Sequence, residues 1–317
     1  MRQFRVLTIG DSMITMTPLK EGPMRMNHYF ERKVGGAELN FSIGMARLGL
    51  TPSFISRVGK DEFGQYIFNY LRGEGVDVSQ IDFVENKSTS LNFREIFNNG
   101  DSRTYYYRTN GPILSLEQQH LKEEHIKEMD LIHLSGVYLA LDSSTLDIVL
   151  RIVKIAKKYN IPVSFDPNLR LKLWSIEEAR EAFEKIYPFV QIFLTGEEEI
   201  ELLIGSANKP DIEIFTGKHT ISHFVMKRGH RGASLFTDGE WYDRGIYQVD
   251  AVDTVGAGDG FDTGFIYAYL NQLEPLDMLT YGNAAGALVT TVVGDNEGLP
   301  SLHELEAFIN GTKSIER

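Results

Sequence analysis

The run Asp253-Thr254-Val255-Gly256-Ala257-Gly258-Asp259-Gly260-Phe261 sets one carboxylate at the mouth of a helix. Phe261, Phe265, Ala268 and Tyr269 recur at i, i+4, i+7 and i+8, one apolar stripe, so the helix begins around Gly256 to Gly258. The first N–H groups of a helix have no internal partner and carry the positive end of its dipole. Gly256, Ala257 and Gly258 leave those donors open to the close approach of a phosphate. Asp259 would repel an anion there, yet it can take a proton from a hydroxyl about to attack that anion. An anion cradle beside a base is the minimum equipment of a small-molecule kinase. The same residues also describe a turn with a capping carboxylate.

Two further segments carry candidate contacts. Val34-Gly35-Gly36-Ala37-Glu38-Leu39-Asn40 opens a second amphipathic helix, with Leu39, Ile43 and Ala46 on one side and Gly49 as its stop. Asn40, one turn in, both donates and accepts, as polyol recognition requires. In Arg103-Thr104-Tyr105-Tyr106-Tyr107-Arg108-Thr109, strand alternation points Thr104, Tyr106 and Arg108 one way and Tyr105 and Tyr107 the other. Leu91 to Phe97 reads as its partner strand, with Asn98-Asn99-Gly100 as the hairpin turn.

Together these segments resemble the PfkB (ribokinase-like) carbohydrate kinases over nearly the whole chain. The Gly-Gly-Ala-x-x-Asn signature is present as Gly35, Gly36, Ala37 and Asn40. The Asp-Thr-x-Gly-Ala-Gly-Asp-x-Phe signature is present as Asp253, Thr254, Gly256, Ala257, Gly258, Asp259 and Phe261. The resemblance implies ATP and Mg2+ as cofactors, Asp259 as catalytic base and Gly256, Ala257 and Gly258 as the anion hole. Lys227-Arg228-Gly229-His230-Arg231-Gly232 is similar to the family's Gly-x-x-Gly nucleotide loop, which makes Lys227, Gly229 and Gly232, with Gly256 and Gly258, the expected nucleotide contacts. Where the family carries Asn-x-x-Glu near magnesium, this chain keeps Glu199 but has Gly196, so Glu199 is expected to reach the metal through water, with an acidic helix start as the competing explanation. Some relatives place a monovalent cation beside the residue equivalent to Asp253.

Tyr106-x-Arg108 and the run Asp166-Pro167-Asn168-Leu169-Arg170-Leu171-Lys172-Leu173-Trp174 look most like the 2-keto-3-deoxygluconate kinases of that family. That likeness places Gly35, Gly36, Asn40, Tyr106, Arg108 and Arg170 around the substrate. The chemistry agrees, because a sugar acid presents a carboxylate that arginine can grip bidentately, whereas a neutral sugar needs no guanidinium. Those enzymes often have Tyr where this chain has Asn92, and Asp11 is either a hydroxyl contact or a turn residue. The expected reaction is transfer of the ATP γ-phosphate to O6 of 2-keto-3-deoxygluconate. A fructokinase and a non-catalytic sugar or nucleotide sensor on the same fold are the alternatives, and the retained Asp259 speaks against the sensor.

Positioning these groups takes a sizeable scaffold, and 317 residues with 42% hydrophobic content can supply it. Short apolar strands at 53–58, 131–134, 162–165, 191–194 and 223–226 alternate with helical spacing at 143–159 and 176–187. That alternation implies a three-layer α/β/α domain around a mainly parallel sheet, with ligands at the carboxyl ends of the strands. Residues 1–10, 35–80 and 110–317 are assigned to it, and the β-rich inserts 11–34 and 81–109 to a small lid. Exposed lid edges favour a homodimer. A net charge of -12 argues against nucleic acid as a partner. No stretch approaches the ~18 to 20 apolar residues of a membrane span. The absence of cysteine suits a reducing cytoplasm, and the apolar run at the N-terminus is too short for a signal peptide. The eight histidines form no spaced cluster.

Overall fold

The computed structural model describes residues 3–97 and 102–311, and the expected Asn98-Asn99-Gly100 turn lies outside them. Among the described residues the strands are β1 (Arg5–Ile9), β2 (Met13–Pro18), β3 (Phe30–Gly35), β4 (Thr51–Gly59), β5 (Ile81–Val84), β6 (Ser90–Ile96), β7 (Ser102–Tyr107), β8 (Leu131–Ser135), β9 (Val163–Asp166), β10 (Ile192–Gly196), β11 (His223–Lys227), β12 (Ala233–Thr237) and β13 (Glu240–Arg244). The helices are α1 (Ala37–Arg47), α2 (Glu62–Gly73), α3 (Glu123–Ile126), α4 (Gly136–Leu139), α5 (Thr145–Tyr159), α6 (Ile176–Glu184), α7 (Glu197–Ile204), α8 (Lys209–His219), α9 (Ala257–Leu270), α10 (Pro275–Val289) and α11 (Leu302–Ile309).

The main sheet runs β13-β12-β11-β10-β9-β8-β1-β4-β5. Its strands are parallel from β11 to β5, while β12 and β13 extend it as an antiparallel edge. Alternate residues feed opposite layers, as the period of a strand dictates. Val6, Ile192, Leu194 and Val225 pack with Phe41 of α1, Phe265 of α9 and Leu279 of α10. Leu7, Ile9, Phe193 and Phe224 face the other way, onto Ile152 of α5, Phe183 of α6 and Phe215 of α8. Burial on both faces explains why these strands are apolar at consecutive rather than alternate positions through their middles.

The lid is a second sheet in the order β3-β2-β6-β7. Its β2–β3 and β6–β7 pairs are antiparallel, joined by a parallel β2–β6 pairing. Ile81–Val84 was counted with the lid by its sequence, but as β5 it pairs with Ser56–Gly59 at the end of the main sheet. A short strand after a helix carries no local mark of which sheet it joins. Register sets Asn92 opposite Tyr106 and Arg94 opposite Thr104, so these four share one lid face. The carboxyl ends of β9, β10 and β11 and the start of α9 lie across a cavity from that face.

Candidate active site

α9 starts where the sequence indicates. Gly256 is its N-cap with φ 77°, a left-handed conformation open to glycine. A side chain there would also run into the Asp295 carbonyl. The turn thus leads straight into helix, and the amides that follow have no intrahelical partner. Asp259 sits in that first turn, part-buried, and Asn40 Nδ2 donates to its Oδ2 at 2.7 Å. Burial pushes the Asp259 carboxyl up to about 6, with Asp166 adding to the rise and Asn40, Arg170 and Lys227 opposing it.

Asn40 is itself held. Asn296 Nδ2 donates to its Oδ1 at 3.3 Å and to the Val34 carbonyl at 3.0 Å, while the Tyr70 hydroxyl donates to Asn296 Oδ1 at 3.1 Å. With its oxygen engaged, Asn40 has its amide free to face Asp259. Asn296 was not a sequence candidate, because it acts 256 residues from its partner and matches no motif.

Lys227 ends β11, and its ammonium donates to Asp166 Oδ2 and Asp262 Oδ1, both at 3.0 Å. Burial disfavours its charge, but Asp166, Asp262 and Glu199 outweigh that and hold it firmly protonated. Two of its three donors are engaged, which leaves one for an anion at the turn. Glu199 was the expected metal contact. Its Oε1 accepts from the Leu169 amide at 2.7 Å and its Oε2 from the Gly196 amide at 2.8 Å. Both oxygens accept from the backbone, closing the start of α7 and bracing the Asp166–Arg170 loop, while Glu199 also borders the cavity described below. Among the described residues no group of three or more His, Asp or Glu is arranged to hold a metal ion.

Arg170 is exposed and donates to the carbonyls of Asn168 and Leu169 at 3.3 and 3.1 Å. Arg108 differs. Its side chain is 8% exposed, its Nε and Nη1 have no hydrogen-bond partner, and its nearest carboxylate oxygen, on Asp11, is 3.8 Å away. The guanidinium lies 4.6 Å over the Tyr106 ring. Asp11 is buried, accepts from the Ser90 hydroxyl at 3.2 Å, and is pushed up to about 6 by burial against the pull of Arg108. Asn92 Nδ2 donates to Thr15 Oγ1 at 3.0 Å, and its buried Oδ1 has no partner.

These groups border one cavity of ≈ 510 Å³ that reaches from the lid face to the α9 turn. Gly36, Asn40, Tyr106, Arg108, Arg170, Glu199, Lys227, Gly229, Gly256, Gly258 and Asp259 all line it. Ala257, Gly35 and Gly232 do not. Gly35 instead makes room for its neighbours, since a Cβ there would come 2.6 Å from Asp295 Oδ2 and 2.7 Å from Thr15 Oγ1. Gly232, an expected nucleotide contact, closes the β11–β12 hairpin with φ 86°, and a side chain there would meet the Arg244 carbonyl. Asp253, offered as a monovalent-cation site, already holds Arg94, a lid residue that no motif marked.

The pfkB family carbohydrate kinase model matches residues 3–302. The chain belongs to the pfkB family of carbohydrate kinases. It is 33% identical to the 2-dehydro-3-deoxygluconokinase of Thermoproteus tenax over 96% of this chain and 94% of that one. It is 29% identical to the 5-dehydro-2-deoxygluconokinase of Clostridium perfringens over 98% of this chain and 94% of that one. Its fold matches an Escherichia coli protein described as a Ribokinase II, determined with ATP and Mg2+, at TM-score 0.91 and 30% identity over 97% of this chain and 99% of that chain. The architecture is therefore ribokinase-like, and the chain is a carbohydrate kinase, a phosphotransferase with an alcohol group as acceptor.

Proposed function

We propose that this kinase transfers the γ-phosphoryl group of ATP to the primary hydroxyl of a keto-deoxygluconate, with 2-keto-3-deoxygluconate as the first choice. The carrying observation is Arg108, a buried guanidinium whose Nε and Nη1 lack partners, beside a cavity that also holds Asp259. A buried charge without hydrogen-bond partners is costly, and a bound carboxylate would satisfy it. Both kinds of gluconokinase related to this chain are named for acceptors that carry a carboxylate.

In this reading Asp259, oriented by Asn40, removes the acceptor hydroxyl proton as the oxygen attacks the γ-phosphorus. The bond to the bridging oxygen breaks and ADP departs. Developing charge on the transferred oxygens meets the amides of the Gly256–Gly258 turn and the third donor of Lys227. Mg2+ bound with ATP would neutralise phosphate charge, with Glu199 on the cavity wall reaching it through water. A 5-keto-2-deoxygluconate acceptor is the second reading. It is favoured by Asn92, whose unpartnered Oδ1 accepts a hydroxyl rather than offering the phenol expected in the 2-keto enzymes. A dimer through the lid is proposed as well, since Tyr29 is 73% and Tyr107 57% exposed there; a monomeric mass on light scattering would remove it.

The deciding experiment is ADP release measured across both keto-deoxygluconates, fructose and ribose. The highest kcat/KM is expected on a sugar acid. A clear preference for fructose or ribose would overturn the acid and leave the kinase.

A further inference from the structure

Asp253 heads the turn that precedes α9, and its carboxylate needs a positive partner if the turn is to hold beside phosphates. Arg94 meets it with two donors, Nη1 to Oδ2 at 2.8 Å and Nη2 to Oδ1 at 3.1 Å. The Val255 amide donates to Oδ1 and the Gly294 amide to Oδ2, each at 3.2 Å. Four donors match the roughly four lone-pair positions of one carboxylate. A dehydrated alkali-metal ion would have to displace a guanidinium whose side chain is 4% exposed, so the residues present do not fit the monovalent cation that the sequence resemblance offered. Asp295 lies 3.9 Å from the same guanidinium, and its backbone carbonyl abuts Gly256. One side chain of β6 thus touches both segments that shape the turn.

We propose that Arg94 is the built-in cation of the phosphate site, a positioning residue that holds the Asp253–Gly258 turn in anion-binding shape and makes a bound alkali-metal ion unnecessary. Arg94 shares its lid face with Asn92, so the strand facing the acceptor is tied directly to the turn facing the donor. The inference rests on the phosphates lying at that turn.

The first test uses the unaltered enzyme. Turnover at saturating ATP and acceptor is compared in potassium, sodium and tetramethylammonium chloride at equal ionic strength. Rates within about twofold of one another are expected, and a loss of about tenfold in tetramethylammonium would overturn the proposal. In Arg94→Ala, kcat should fall about 10²-fold through misplacement of the turn. Low millimolar guanidinium should recover part of that rate, whereas tetramethylammonium should not. A loss that guanidinium leaves untouched, or an unchanged kcat, would reject a positioning role. Should Arg94→Ala fail to fold, Arg94→Lys keeps the charge but not the two-pronged grip, and full activity in it would equally overturn the idea. Gly258→Val crowds the turn without touching Arg94. If it leaves ATP kinetics unchanged, the phosphates lie elsewhere and the underlying reading fails, whereas the cation series speaks to Arg94 alone.

Discussion

Two arginines on the lid, 4% and 8% exposed at their side chains, live in opposite circumstances. Arg94 is saturated by Asp253 within the chain. Arg108 has only Asp11 at 3.8 Å and keeps Nε and Nη1 without hydrogen-bond partners. The same side chain, carried by one hairpin, is a brace in the first case and a receptor in the second. What separates them is whether the fold supplies the anion or leaves a cavity where an anion can come.

Stability separates them most sharply. Arg94→Ala strands Asp253 among buried groups, and breaking a buried pair from one side costs about 3–5 kcal/mol. Chemical denaturation should show that loss, with Arg94→Ala/Asp253→Ala recovering part of it through coupling between the two sites. Arg108→Ala removes a charge whose Nε and Nη1 have no hydrogen-bond partner and whose contacts are only Asp11 at 3.8 Å and the Tyr106 ring, so the unliganded protein should lose clearly less, about 1 kcal/mol. If both variants lose equal stability, the contrast between brace and receptor is wrong.

Activity separates them by acceptor rather than by size. Charge-assisted hydrogen bonds contribute about 1.5–3 kcal/mol, so Arg108→Ala should lower kcat/KM on the preferred keto-deoxygluconate by about 10- to 150-fold. Turnover of fructose should change far less. Equal damage on both acceptors would reassign Arg108 to lid structure.

The carboxylates repeat the contrast. Burial alone would raise Asp253, but Arg94 and the Val255 and Gly294 amides hold it below its ordinary value. Asp259 has one strong donor, Asn40, and is pushed up to about 6. A base works only when ionised, so kcat/KM should fall as pH drops through about 6, approaching tenfold per unit. Burial is the main cause of the Asp259 rise; Asp166 adds to it, and Asn40, Arg170 and Lys227 oppose it. Asp259→Asn should be slower by about 10² to 10⁴ with no limb near pH 6. A limb retained in Asp259→Asn would belong to another group.

Sequence exposed one side of this arrangement better than the other. The α1 and α9 starts were legible because glycine turns run directly into apolar periodicity, and β4, β8, β9, β10 and β11 because burial on both faces leaves short, mainly apolar runs. Asn40 and Asp259 stood in motifs, yet their 2.7 Å contact spans 219 positions and no local pattern predicts it. Arg94 lay in a strand already recognised, on the same alternation as Asn92, so its face could have been read; its partner, 159 residues away, could not. Glu199 and Gly232 show what motif spacing leaves out. Motif spacing reports that an acid or a glycine is present, but not whether backbone amides consume its oxygens or a neighbouring carbonyl fills its space.

The smallest expected effect concerns Arg170, the sugar-acid candidate that behaves like neither lid arginine. It lines the cavity but is exposed, and its Nη1 already donates to two carbonyls of its own loop. Water competes for an exposed guanidinium, so its bond to a substrate carboxylate exchanges one solvated partner for another and contributes about 0.5–1 kcal/mol. Arg170→Ala should therefore lower kcat/KM for the acid only about two- to fivefold. If both arginines grip one carboxylate, the double variant should lose less than the product of the single losses. Full multiplication would mean that they touch different parts of the ligand. A loss in Arg170→Ala as large as that in Arg108→Ala would mean that the Asp166–Arg170 loop closes over the acceptor, with burial no longer separating the two arginines.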